Sequence, residues 1–207
     1  MADDRAHYYE PAKGHGLRHD PFNAIIGPRP IGWIASESKA GGRNLAPYSF
    51  FNAFNYVPPV IGFSSIGWKD TVANIAETGE FVWNLATFAL RDAMNATASS
   101  VGPQVDEFTL AGLTPVPSRH VKPPRVLESP VNFECKLTQL IQLQRADGEK
   151  VESWLVLGEV VAVHIDPSLL LDGVYQTAQP HPILRAGRTG DYVEVRPEAL
   201  FEMPRPA

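Results

Sequence analysis

Cysteine is almost missing from this chain of 207 residues: Cys135 is the only one. No intramolecular disulfide, CxxC redox pair or cysteine-rich zinc site can form, and a reducing cytoplasm is the expected setting. Surplus positive charge is missing too. The 18 Lys and Arg stand against 23 Asp and Glu, a net charge of −5, whereas nucleic-acid backbones and anionic membranes select basic surfaces. No nucleic acid and no membrane is expected among the partners. The opening MADDRAHYYE is charged from its third residue and has no apolar stretch, so neither a secretory signal nor a lipidation motif is expected. Charge-free runs are short, with one exception of 25 residues from Asn44 to Trp68. That is long enough to span a bilayer. It holds Asn44, Asn52 and Asn55, Pro47, Pro58 and Pro59, and Ser49, Ser64 and Ser65, whose polar groups lipid could not satisfy. The run is expected instead to be buried around something uncharged and flat.

What is present fits one globular core. Apolar residues make up 44% and charged residues 20% of the chain, outside the range of disordered sequences. The 19 Pro and 16 Gly cut it into short elements, which favours strands and turns over long helices. Residues 1–22, with His7, His15 and His19, read as a polar arm, and 23–207 as a single domain.

Within that domain, Ile31–Ser36 reads as a strand that turns at Lys39–Gly42 and returns from Asn44 to Tyr56. Val60–Ser64 is a further strand. Asp70 is placed to cap a helix with Val72, Ile75 and Ala76 on one face and Gly79 as its stop. Glu80–Leu85 reads as a strand, Thr87–Ser100 as a helix and Asp106–Ala111 as a short one. Apolar residues at odd positions from Val131 to Leu143 predict a half-buried strand, and the apolar residues in both phases of Val151–Ile165 predict one covered on both faces. The sum is a mainly β fold, a closed or nearly closed barrel with short helices outside.

Chemistry concentrates in a few stretches. Ser64-Ser65-Ile66-Gly67-Trp68-Lys69-Asp70-Thr71 combines two hydroxyls, a lysine and the opening of a helix, the ingredients of an anion cradle suited to phosphate. The same residues suit a plain strand–loop–helix junction. Arg29, on a loop stiffened by Pro28 and Pro30, offers a second cation with Trp33 close behind. It also suits an ordinary surface turn. Asn44 to Asn52 mixes amides and aromatics that could stack on a planar ring and bond its edge, or simply pack in a core. His15 and His19 have a helical metal spacing, but Gly14, Gly16 and Pro21 argue against a helix and no third ligand is placed, so no metal is expected. Ser64 and Ser65 do not form a nucleophile elbow, Gly14-His15-Gly16 is no dinucleotide fingerprint, and Cys135 sits on an apolar strand phase. No catalytic residue is expected.

The blocks RPIGWIAS (29–36), NLAPYSFFN (44–52), PPVIGFSS (58–65), KDTVANI (69–75) and EFVWNLA (80–86), in that order, resemble the flavin reductase-like, FMN-binding split-barrel family. GEVVAVHID (158–166) and RAGRTGDY (185–192) are similar to its second barrel half and its C-terminal signature, with Arg188 where many relatives carry a second glycine. The resemblance implies a Greek-key split β-barrel working as a homodimer with FMN near the subunit interface. It implies that Arg29, Ser64, Ser65, Lys69 and Thr71 hold the phosphate. Trp33, Asn44, Ala46, Pro47, Tyr48, Ser49 and Asn52 would line the ribityl chain and the ring, with Arg185 and Tyr192 near it. The implied activity is an NAD(P)H-dependent flavin reductase, using NADH or NADPH and passing electrons to a monooxygenase or another acceptor. The alternative it leaves is a non-enzymatic FMN-binding electron carrier reduced by a partner protein.

Overall fold

The computed structural model describes residues 5–206. The first four residues of the expected arm lie outside them. The strands are β1 (Arg29–Pro30), β2 (Gly32–Glu37), β3 (Arg43–Tyr48), β4 (Phe51–Asn55), β5 (Val60–Ile66), β6 (Glu80–Asn84), β7 (Pro115–Val116), β8 (Arg125–Val126), β9 (Val131–Gln144), β10 (Lys150–Ile165), β11 (Leu170–Leu171), β12 (Val174–Tyr175), β13 (Ile183–Arg185) and β14 (Tyr192–Glu194). The helices are α1 (Phe22–Ile25), α2 (Asp70–Thr78), α3 (Arg91–Ala96) and α4 (Glu107–Leu110).

Seven strands form one antiparallel sheet in the order β3-β2-β6-β9-β10-β5-β4. Its two outermost strands, β3 and β4, are consecutive in the chain and separated only by Ser49 and Phe50. The sheet must therefore curl until its edges nearly meet, which makes it a split barrel. The expected single return from Asn44 to Tyr56 is broken at this point, and the Phe50 carbonyl there accepts the Ser64 N–H at 2.8 Å.

The curl encloses one core of Ile34, Tyr48, Phe63, Ile75, Phe81 and Trp83, while Trp33, Ala35, Val82, Met94 and Phe108 form a second core outside it. Alternation along β2 and β6 feeds both cores, so these strands are covered on two faces. Each large side chain fully buried there contributes about 1.5–3 kcal/mol. Close packing requires glycine at Gly158, where an added Cβ would lie 2.4 Å from the Phe81 ring.

Helix α2 packs Val72 and Ile75 into the inner core and stops at Gly79, whose φ of 73° is left-handed and whose N–H bonds the Ile75 carbonyl at 2.8 Å. Its cap differs from the sequence expectation. Lys69, extended at φ −90° and ψ 169°, is the residue before the helix, and Asp70 belongs to the first turn. The helix expected over Thr87–Ser100 shrinks to Arg91–Ala96, because Thr87 bridges Pro182 and the Phe88 N–H is taken by the His181 carbonyl.

The two long strands also depart from simple patterning. In β9 the even positions Asn132 and Glu134 are buried along with Val131 and Cys135, whereas the apolar Ile141 is exposed. Asn132 donates to the Asn84 side chain at 2.9 Å, and the Glu134 carboxylate accepts the N–H groups of Arg119 and His120 at 2.8 and 2.6 Å. His164 Nε2 lies 2.6 Å from the same carboxylate. In β10, contrary to the expectation of cover on both faces, Val161, Val163 and Ile165 are exposed because nothing among the described residues packs over them.

Candidate functional site

Beside the slit of the barrel lies a cleft of about 550 Å³, walled by β3, the end of β5, the start of α2 and residues 97–101. Of the residues singled out from the sequence, Asn44, Ala46, Pro47, Tyr48 and Ser49 reach it from β3 and the connection after it, and Ser64, Lys69 and Thr71 from β5 and α2. One local cause gathers them: the strand pairing that closes the barrel sets the end of β3 against the β5–α2 junction.

At that junction, Ser65 is fully buried and its hydroxyl donates to the Gly67 carbonyl at 2.9 Å, shaping the turn instead of facing the cleft. Gly67 takes φ 87° in open space, the left-handed conformation glycine accepts at least cost. Lys69 is exposed at the rim and makes no ion pair among the described residues. No side chain caps α2, so the N–H groups of its first turn, which have no acceptor inside the helix, stay available at the end that carries partial positive charge.

The wall opposite is polar and buried. Asn44 Nδ2 donates to Thr71 Oγ1 at 2.8 Å, tying β3 to α2. The hydroxyl of Tyr48, a residue only 7% exposed, has no hydrogen-bond partner among the described residues. Burial raises its pKa against the pull of the nearby Thr71 and Ser65 hydroxyls. An orphaned buried hydroxyl costs about 1–3 kcal/mol, a cost a ligand atom could remove.

Five further expected residues lie outside the cleft's lining. Trp33 is fully buried in the outer core, where its Nε1 donates to Thr97 Oγ1 at 3.0 Å, so it supports the cleft wall at Thr97 without touching the space itself. Asn52 is exposed on β4, its Oδ1 accepting the Ala53 N–H at 2.8 Å. Arg185 and Tyr192, on β13 and β14, belong to a different cleft. Arg29 is buried beside the first cleft, where its Nε donates to the Ser49 carbonyl at 3.0 Å and its Nη1 to the Asn23 carbonyl, bracing the wall from behind.

Two features of the cleft escape sequence reasoning. Residues 97–100 read as the tail of a helix, but they leave α3 and, with Val101, line the opening. Glu107, at the start of the short α4, enters the cleft 7% exposed and accepts the Leu45 N–H at 3.1 Å. Burial raises its carboxyl pKa, opposed by that N–H bond. No neighbouring residue type distinguishes it in the sequence from a solvated first-turn acid. Glu107 and Asp70 are the negative groups of the cleft, so an anion held there depends on Lys69 and the N–H groups of α2. Among the described residues no group of three His, Cys, Asp or Glu is gathered as a metal would need.

Known proteins of this architecture are similar to the chain along most of its length. The sequence is 36% identical over 200 residues to an uncharacterized protein of Halalkalibacterium halodurans, covering 91% of this chain and 92% of the relative. The structure of nitrilotriacetate monooxygenase component B from Bacillus cereus superposes with a TM-score of 0.81 at 33% identity, covering 88% of this chain and 90% of that one. A protein of Shewanella frigidimarina with a split barrel domain shares the fold at a TM-score of 0.79 and 23% identity, over 89% and 90% of the two chains. The family model of the flavin reductase like domain matches residues 27–183. From the five N-terminal sequence blocks, the curled seven-stranded sheet and this match, the chain belongs to the flavin reductase-like, FMN-binding split-barrel family.

Proposed function

We propose that the protein is an NAD(P)H-dependent flavin reductase whose FMN lies in the cleft between β3, β5 and α2. The observation that carries the reading is the donor set at one end of that cleft: Lys69 without a carboxylate partner, the uncapped start of α2, and the orphaned Tyr48 hydroxyl. Such a set fits a phosphate ester with a polyhydroxylated chain. Flavin, when bound, supplies the redox chemistry by accepting hydride from the nicotinamide.

The protein's part is binding and orientation. Lys69 and the α2 N–H groups hold the phosphate, with Ser64 and Thr71 as hydroxyl partners. Tyr48 and Glu107 meet the ribityl hydroxyls, and Ala46, Pro47 and Ser49 present backbone to the ring. Arg29 and Trp33 act one layer behind, through Ser49 and Thr97. This division of labour requires no acid–base dyad.

The functional unit in this reading is residues 23–207, with 1–22 as an appended arm, and it works in the cytoplasm as a homodimer. The exposed Val161, Val163 and Ile165 of β10 support an apolar face for a second copy. No helix among the described residues is long and apolar enough to cross a membrane. A monooxygenase is a suitable electron acceptor, since the Bacillus cereus structure is a monooxygenase component.

Anaerobic mixing of the FMN-loaded protein with NADH or NADPH tests the reading. Bleaching of the flavin absorbance within seconds is expected with at least one of them. A flavin band unchanged by both, but bleached by dithionite, would leave an electron carrier in place of a reductase.

A further inference from the structure

The second cleft, about 520 Å³, has a character of its own. Met94 and Ile183, both buried, form its apolar floor. At its rim Arg91 lies over the Phe88 ring at 4.3 Å and Arg185 over the Tyr192 ring at 4.8 Å. A guanidinium over an aromatic ring is a flat, positively charged surface; Arg91 is held there by Nη1, which donates to the Phe88 carbonyl at 2.8 Å.

The charges behind this rim are poorly matched. Arg185 pairs across the strands with Arg29. Arg29 is only 9% exposed, and both of its hydrogen bonds go to carbonyls, of Ser49 and Asn23. Arg185 likewise bonds the carbonyls of Arg188 and Thr189 at 3.1 and 2.8 Å. Neither has a carboxylate partner among the described residues. Burial lowers the Arg29 pKa, and the like charge of Arg185 lowers it further.

Both acids that line this cleft are paired, Glu194 with residues outside the arginine rim and Asp92 with Arg91. Glu194 is held by Arg196 at 2.7 Å and His181 at 2.7 Å. Asp92 lies 3.6 Å from Arg91 with its side chain 89% exposed. Two arginines thus face a cavity with an apolar floor, and a buried third adds to the positive field.

We propose that this cleft binds a phosphorylated adenosine, the adenylate half of the dinucleotide that donates the hydride. The floor and the Arg–aromatic pairs take the flat base, and Arg91 and Arg185 take phosphate. The proposal rests on the reductase reading for the identity of the donor, but not for the site. Arg29 joins the two clefts, since it braces Ser49 of the flavin cleft and pairs with Arg185 of this one.

Calorimetric titration of the FMN-loaded protein with ADP and, separately, with adenosine 2′-monophosphate tests the site. Saturable binding of at least one is expected, weakened about tenfold or more in Arg91→Ala and in Arg185→Ala by loss of a charge-assisted contact. Tighter binding of ADP assigns the arginines to the diphosphate, and tighter binding of the 2′-phosphate predicts a preference for NADPH over NADH.

Arg185 also holds the 186–191 loop, so Arg91→Ala, with its melting temperature and FMN affinity checked against the unaltered protein, is the decisive variant. Absence of binding at millimolar concentrations of both probes would overturn the proposal, even in a protein that oxidises NADH. So would equal affinity in Arg91→Ala. Adenylate binding in a protein whose flavin is never bleached by nicotinamide would instead overturn the reductase reading and keep the site.

Discussion

Removing the Lys69 ammonium by Lys69→Ala is expected to weaken FMN while sparing riboflavin. A charge-assisted contact to a phosphate contributes about 1.5–3 kcal/mol. Lys69 is exposed at the cleft rim, so solvent screening places it at the lower end, about 1.5 kcal/mol. That corresponds to about a tenfold rise in the FMN dissociation constant. Riboflavin lacks the phosphate and has nothing to lose at Lys69.

Quenching of flavin fluorescence, titrated for both ligands against both proteins, closes a double cycle that isolates the Lys69–phosphate coupling. The coupling should shrink as ionic strength rises, since the Debye length is about 10 Å at 0.1 M salt. Lys69→Arg, which keeps the charge, should recover most of the affinity. An FMN dissociation constant that moves less than about twofold, or an equal loss for riboflavin, would refute the assignment of Lys69 to the phosphate.

Three other perturbations probe the cleft and its support. Tyr48→Phe removes the orphaned hydroxyl, so urea unfolding should show the flavin-free protein unchanged or more stable by about 1 kcal/mol, while FMN binds more weakly. A stability loss with unchanged FMN affinity would show that the hydroxyl has a partner within the fold. For Glu134, burial opposes ionisation, but the Arg119 N–H, His164 and the His120 N–H outweigh it, and the net pKa is lowered. A carboxylate with a lowered folded-state pKa stabilises the fold above its ordinary value and loses that contribution as pH falls through the folded one. Glu134→Gln should therefore cost about 3 kcal/mol at neutral pH and flatten the acid limb of a stability profile below the ordinary value of 4.5. An unaltered acid limb would contradict the latch role. Gly158→Ala drives a methyl into Phe81 and should cost about 1–3 kcal/mol of unfolding free energy, and a neutral result would mean that the barrel wall yields there.

Much of this architecture was legible because period and punctuation agreed. Alternation marked β9, and the apolar spacing of Val72 and Ile75 ahead of Gly79 marked α2. Illegible parts were those decided by distant partners. Thr87 to Leu90 has helical character on its own, yet the His181–Pro182 backbone claims its first hydrogen bonds. Glu134 alternates like a solvent-facing residue, and the loop that carries Arg119 and His120, together with His164 on β10, makes it a buried latch.

The candidate site divides in the same way. Lys69, Thr71 and the β3 residues fall in one cleft because the motif blocks are joined through the sheet closure. The roles of Trp33, Ser65 and Arg29 depended on which way each side chain points, and residue type does not encode that. The C-terminal signature, by resemblance, implies a place near the flavin for Arg185 and Tyr192. The β1–β13 pairing sets them on a separate cleft.

A crystal structure of the protein with FMN bound tests the assignment of the cleft most directly. The phosphate is expected against Lys69 and the first turn of α2, a ribityl hydroxyl bonded to Tyr48, and the ring along Ala46 to Ser49. FMN bound elsewhere, with the cleft between β3, β5 and α2 filled only by water, would contradict that assignment.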